Sequence, residues 1–262
     1  MTIGETLTNK SLWERRVANV PRGVTTAYPI FAERAKNAEI WDVEGNRFID
    51  FGGGIGVMNT GHCHPKVIAA IHKQVDVYLH TAFQIMPYEP YVKLCEKLNQ
   101  KAPIAGPKKT ILFSSGAEAL ENAVKIARVA TGRSGFISFI GGFHGRTMMA
   151  LALTGKVVPY KKGFGPFPGD VYHIPFPMDY HGVTEDDSIK ALLNLFKADI
   201  DPSKIAAIAI EPVQGEGGFY IASASFLTRL RAICDEHGIL PVSYTHLRAH
   251  ETKANLVCRL LL

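Results

Sequence analysis

The sequence predicts an α/β chain, mainly a parallel sheet with flanking helices. Three observations carry that expectation. Short apolar runs alternate with helical patterns from Thr110 onward. Glycine-bearing turns follow the ends of those runs, at Gly116, Gly141 and Gly215. In 262 residues, 47% apolar against 20% charged side chains is enough to build one large core, or one domain plus part of another.

The elements follow in order. Glu39 to Val43 and Arg47 to Phe51 flank a Glu44-Gly45-Asn46 turn and read as a hairpin. Pro65 suits a first helical position, and Val67, Ile68, Ile71, Val75 and Leu79 continue at helical spacing. Tyr91, Leu94 and Leu98 mark a helix just beyond Pro90. Thr110 to Phe113 reads as a strand feeding a helix over Glu118 to Ala130, and Gly135 to Ile140 as the next strand. Ile205 to Ile210 is a third, followed by a helix opened by Ser223 and closed by Gly238.

Bulk properties narrow the function classes. A net charge of +5 is modest, and the basic residues come as scattered pairs such as Arg15-Arg16 and Lys161-Lys162, so no nucleic-acid partner is expected. Four cysteines without paired spacing fit a reducing, cytoplasmic setting. Residues 1–20 hold no apolar run, and Leu256 to Leu262 is too short to cross a bilayer, so no membrane partner is expected.

Three stretches carry chemistry. In Phe113-Ser114-Ser115-Gly116-Ala117-Glu118-Ala119 a strand end turns into a helix start. The first helical N–H groups lack intrahelical acceptors and sit at the positive end of the helix dipole, which makes Gly116 and Ala117 candidates for cradling a phosphate. Gly141 to Thr147 follows a strand at the carboxyl edge of the sheet, where open α/β sheets bind ligands. There Phe143 offers a ring face to a planar cofactor, Arg146 a planar fork for a carboxylate, and His144 a hydrogen-bonding group. Ile210 to Gly218 places Glu211 and Glu216 at another strand end, where they can pair with cations or tune substrate binding.

Other readings fail on the residues. The cluster Gly52 to Gly56 lacks the spacing G-x-G-x-x-G, and Gly155-Lys156 is followed by Val157 rather than by Ser or Thr. His62-Cys63-His64 holds good zinc-ligand atoms, but adjacent residues point apart and no second cluster completes a tetrahedron, so no metal is expected.

Taken together, Asn59-Thr60-Gly61-His62, Phe83-Gln84, Tyr88-Glu89-Pro90-Tyr91, Ser115 to Ala119, Glu121 to Lys125, Phe143 to Thr147, Leu153-Thr154-Gly155-Lys156 and Glu211 to Gly218 resemble class III aminotransferases in order and spacing. These belong to the fold-type I pyridoxal-phosphate group, and the pattern is most similar to the 4-aminobutyrate aminotransferases. The resemblance implies the large domain of that fold, incomplete, plus the N-terminal part of the small domain. Residues 1–60 would belong to the small domain and 61–240 to the cofactor-binding large domain. It implies pyridoxal 5'-phosphate held by Gly116, Ala117, Phe143 and His144, although many relatives have Ser at position 117 and Tyr at 143. It further implies a substrate pocket of Ile55, Gln84, Arg146, Glu211 and Glu216, with Glu216 pairing with a distant arginine. The reaction implied for the full-length protein is amino transfer from 4-aminobutyrate to 2-oxoglutarate, in a homodimer or higher oligomer. Donors such as 5-aminovalerate, ornithine or acetylornithine fit the same pattern, and a non-catalytic truncated binding partner is the alternative of another class.

The text departs from this pattern after Gly238-Ile239-Leu240. An apolar strand carrying an aspartate for the pyridine nitrogen is expected there. Pro241 and the polar, histidine-bearing run after it do not read as one. Residues 241–262 are therefore expected to be a non-native tail, with the Schiff-base lysine and the aspartate absent and the chain inactive alone.

Overall fold

A computed structural model describes residues 7–245. They divide into two compact units that part between Tyr88 and Glu89.

In the first unit, helix α1 (Asn9–Asn19) is capped by Thr8, whose side chain accepts from the Ser11 N–H. Strands β1 (Ala32–Lys36), β2 (Glu39–Asp42) and β3 (Arg47–Ile49) form an antiparallel sheet in that order. The predicted hairpin is β2 and β3, with Trp41 opposite Arg47. Its turn is set by buried Asp42, whose Oδ1 accepts from the Glu44 and Asn46 N–H groups while Gly45 takes φ +84°. Asn9 joins α1 to this turn, donating to Asp42 Oδ2 at 2.9 Å and accepting from Phe31 N–H at 2.8 Å. The one-turn α2 (Gly53–Gly56) follows, then α3 (Pro65–Val75), which stops one turn short of the expected Leu79.

The second unit opens with α4 (Glu89–Lys101) and α5 (Gly116–Thr131). Its sheet contains β4 (Gly135–Phe139), β5 (Val171–Ile174), β6 (Ile205–Ile210) and, at one edge, β9 (Leu240–Ser243). All pairs are parallel, in the order β5-β4-β6-β9. Helices α6 (Met148–Leu153), α7 (Glu185–Ala198) and α8 (Ala224–His237) complete it, with the short ribbon β7 (Val213–Gln214) and β8 (Tyr220–Ile221).

Strand parity sorts the core. Ile137, Phe139, Ile208 and Ile210 pack with Leu192 of α7 and with Phe226, Leu227 and Leu230 of α8. Phe136 and Ala207 pack with Leu120 and Val124 of α5 and with Met149 and Leu153 of α6. Both faces of β4 and β6 are covered, as expected for parallel strands with continuous apolar runs.

Two sequence expectations are corrected here. Thr110 to Phe113 is not a strand, and Ile111 is 61% exposed. Its polar groups go to α4 instead: Leu112 N–H donates to the Tyr91 hydroxyl at 3.0 Å, and the Thr110 carbonyl accepts from Cys95 Sγ at 3.6 Å. An apolar run becomes a strand only when a neighbour satisfies its backbone. Conversely, Pro241 does lie in a strand, opposite Ile208. Tyr244 N–H donates to the Ile210 carbonyl at 2.7 Å, so by the period of two Val242 shares that side while Pro241 faces the open edge. A proline is tolerated where its missing N–H points away from the ladder.

Candidate functional site

Three loops meet where the carboxyl ends of β4 and β6 approach the start of α5, and the two that follow the strands are fastened by buried polar groups. Ser115 caps α5, its hydroxyl accepting from Glu118 N–H at 3.2 Å, while Glu118 accepts from Ser114 N–H at 2.8 Å. The Gly116 and Ala117 N–H groups stand in the first helical turn, where no intrahelical acceptor exists. After β4, Gly145 takes φ +121° and packs on this helix start. A Cβ there would lie 2.6 Å from Ala117 Cβ and 3.1 Å from Ala150 Cβ. A small residue at 117 is therefore a packing requirement.

Glu211, 2% exposed at the end of β6, clamps two loops. Its Oε2 accepts from Phe143 N–H at 2.9 Å and its Oε1 from Gly215 N–H at 3.1 Å. His144 is buried and donates its own N–H to Thr154 Oγ1 at 3.0 Å. Gln214 is buried as well and donates to the Ile140 carbonyl at 2.9 Å. A Cβ on Gly141 would come 2.8 Å from its Oε1, and one on Gly217 would collide with the same atom. Gly155 closes the loop by exchanging backbone hydrogen bonds with Gly141 and Gly142.

Glu216 bonds Lys156 at 2.8 Å, and the Tyr160 hydroxyl lies near the same carboxylate. The lysine beside it holds the Glu216 carboxyl below its ordinary value, and Glu216 raises Lys156 in turn. Burial and then Glu216 push the Tyr160 phenol up. The Tyr160 ring lies 4.9 Å from that of Phe143. Among the described residues the cation paired with Glu216 is Lys156. Arg146 is exposed and makes no ion pair among the described residues.

Seven of the nine residues singled out in the sequence, Gly116, Ala117, Phe143, His144, Arg146, Glu211 and Glu216, lie in the second unit on these three loops. Ile55 and Gln84 lie in the first. Ile55 holds φ +60° and is 95% exposed, a strained backbone for a β-branched residue, and Gln84 is exposed in a turn. Sequence reasoning missed Gly145, Thr154, Gln214 and Lys156. The signal for the first three was the clustering of glycines around them, since a glycine that admits a neighbouring side chain points to that side chain. His62 pairs with Asp50 at 2.6 Å, and no group of three metal-ligating side chains occurs among the described residues.

The class-III aminotransferase family profile matches residues 20–243. The chain belongs to the class III aminotransferases. It is 58% identical over 236 residues to the 5-aminovalerate aminotransferase of Pseudomonas aeruginosa, covering 90% of this chain and 55% of that protein. It is 57% identical over 235 residues to the 4-aminobutyrate aminotransferase of Escherichia coli, again 90% and 55%. Among solved structures it resembles a taurine:2-oxoglutarate aminotransferase from Bifidobacterium kashiwanohense, in complex with PLP and glutamate, at TM-score 0.81 and 26% identity. That match covers 91% of this chain and 55% of the other. An (S)-enantioselective omega-transaminase from Thermomicrobium roseum gives TM-score 0.80 at 28% identity, with 90% and 57% covered. The chain spans about half the length of the curated relatives it matches. The fold is that of the fold-type I large domain, and the match runs through Ser243, three residues past the expected break at Leu240.

Class III aminotransferases use pyridoxal 5'-phosphate. The loops described above suit its phosphate. Gly116 is exposed at the first turn of α5 with the Tyr244 hydroxyl beside it, and that turn presents N–H groups and the positive end of a 16-residue helix. No helix among the described residues is long and apolar enough to cross a membrane.

Proposed function

We propose that the protein to which these residues belong moves the amino group of 4-aminobutyrate to 2-oxoglutarate, giving succinate semialdehyde and glutamate in the cytoplasm as a homodimer or higher oligomer. The observation that carries the reading is Arg146. Its exposed guanidinium, in no ion pair among the described residues, follows directly on Gly145, which packs against the proposed phosphate seat. A donor with a carboxylate at one end and an amine several bonds away suits a fork set beside that seat. Pyridoxal 5'-phosphate, when bound, supplies the carbonyl that accepts the amino nitrogen and a ring that withdraws electrons. Gly116 and Ala117 N–H groups hold its phosphate, Phe143 and His144 flank its ring, and Glu211 keeps the Phe143 loop in place. Glu216 sets the charge near the donor's carboxylate.

A second reading, 5-aminovalerate as donor, is favoured by the 58% identical relative. Ornithine and acetylornithine are further candidates. The test is a full-length chimera of residues 1–243 followed by the C-terminal half of the Escherichia coli relative. Initial rates with the four donors are expected to rank 4-aminobutyrate first, and Arg146→Met to raise its KM about tenfold or more, the scale of one charge-assisted contact. A folded, cofactor-loaded chimera that forms no glutamate from any of the four donors would sink the proposal.

A further inference from the structure

The Tyr244 side chain reaches the start of α5 beside Gly116, which itself stays exposed. A Cβ on Gly116 would lie 2.5 Å from the Tyr244 hydroxyl and 3.4 Å from its Cζ. The Tyr244 backbone is anchored to the end of β6 through its bond to the Ile210 carbonyl. Its ring meets His144 edge to face, with centroids 5.3 Å apart and planes at 73°. The same side chain also packs, as Ala117 does, against the cluster containing Leu120 and Phe136.

A six-membered aromatic ring beside His144, carrying an oxygen directed at the first turn of α5, repeats in outline what a phosphorylated pyridine would present. We propose that Tyr244 is a built-in occupant of the phosphate seat at the start of α5, so that cofactor or phosphate enters only when this side chain leaves. The identity of the displaced ligand rests on the cofactor reading above, whereas the occupancy rests on the contacts at Gly116 and His144. Burial, and then the Glu211 carboxylate, push the phenol above its ordinary value, so near neutral pH it stays protonated and adds no charge of its own. A phosphate dianion at the helix start gains from the dipole and from charge-assisted hydrogen bonds, which a neutral phenol does not match. The tyrosine is therefore a displaceable occupant.

Two measurements on the chain test this. The first is titration with pyridoxal 5'-phosphate, and separately with inorganic phosphate, of the unmodified chain, Tyr244→Phe and Tyr244→Ala. Tyr244→Ala is expected to bind both about tenfold tighter or more, and Tyr244→Phe, which keeps the ring and loses the oxygen, to fall between. The second needs no ligand. Gly116→Ala is expected to lower the urea midpoint in the unmodified chain and much less in the Tyr244→Ala background, because the added Cβ meets the hydroxyl only in the former. Absence of that coupling overturns the occupancy, and so does unchanged or weaker binding by Tyr244→Ala when other forms bind. Coupling present with neither ligand bound by any form supports the occupancy and sinks the cofactor reading.

Discussion

Glu211 illustrates how much of the site depends on single buried acceptors. Replacing it with Ala leaves the Phe143 and Gly215 N–H groups without their carboxylate, and we expect a loss of about 3 kcal/mol in urea unfolding. Glu211→Gln keeps one acceptor and is expected to lose less. Gly145→Ala is expected to be comparably damaging, since φ +121° and the Ala117 contact both exclude a side chain. Glu216 gives a pH signature. Its folded carboxyl sits below its ordinary value of 4.5, so its stabilising effect is present above that value and is lost as pH falls through the folded one. The stability difference between the unmodified chain and Glu216→Gln should therefore shrink between about pH 6 and about pH 3. A constant difference across that range would contradict the Lys156 pairing. Position by position, the sequence marks Gly116, Phe143 and Glu211 because turn, ring and carboxylate chemistry can be read locally. Thr154 and Lys156 could be quoted only as part of a motif. What they touch, His144 and Glu216, depends on how the chain after α6 folds back over the end of β4.

At the scale of elements, the helices with their own stop and start signals were legible. Ser223 accepts from Phe226 N–H at 3.0 Å and Gly238 takes φ +63°, as the cap pattern of α8 predicts. Ser223→Ala should cost about 1 kcal/mol in thermal or urea unfolding. Inside that helix Cys234 is fully buried and its thiol is pushed up to about 12 by the apolar surroundings. At about pH 8 it should react with thiol reagents on the order of a hundredfold more slowly than exposed Cys63, until the protein is unfolded. Strand assignments were less secure because a strand is completed by something outside itself. Ile205 to Ile210 has neighbours on both sides and forms as read. Thr110 to Phe113 has the same apolar character, and α4 satisfies part of its backbone instead.

Across the whole molecule, the second unit shows more apolar surface than its own helices cover. On α5 alone Ile126 is 60% and Val129 87% exposed, and Ile111 adds to this. Exposed apolar side chains one helical turn apart, as Ile126 and Val129 are, favour association. Sedimentation velocity is expected to show species that grow with concentration, reduced by Ile126→Lys combined with Val129→Lys. A concentration-independent monomer would contradict this. The open side of β9 behaves differently. With Pro241 facing outward, that margin has lost one donor, so a further strand added there in regular register meets a gap. The amides of the last strand should then exchange with deuterium in an every-other-residue rhythm. Val242 and Tyr244, turned toward β6, would retain their hydrogens, while Ser243 between them would give its own up to solvent first.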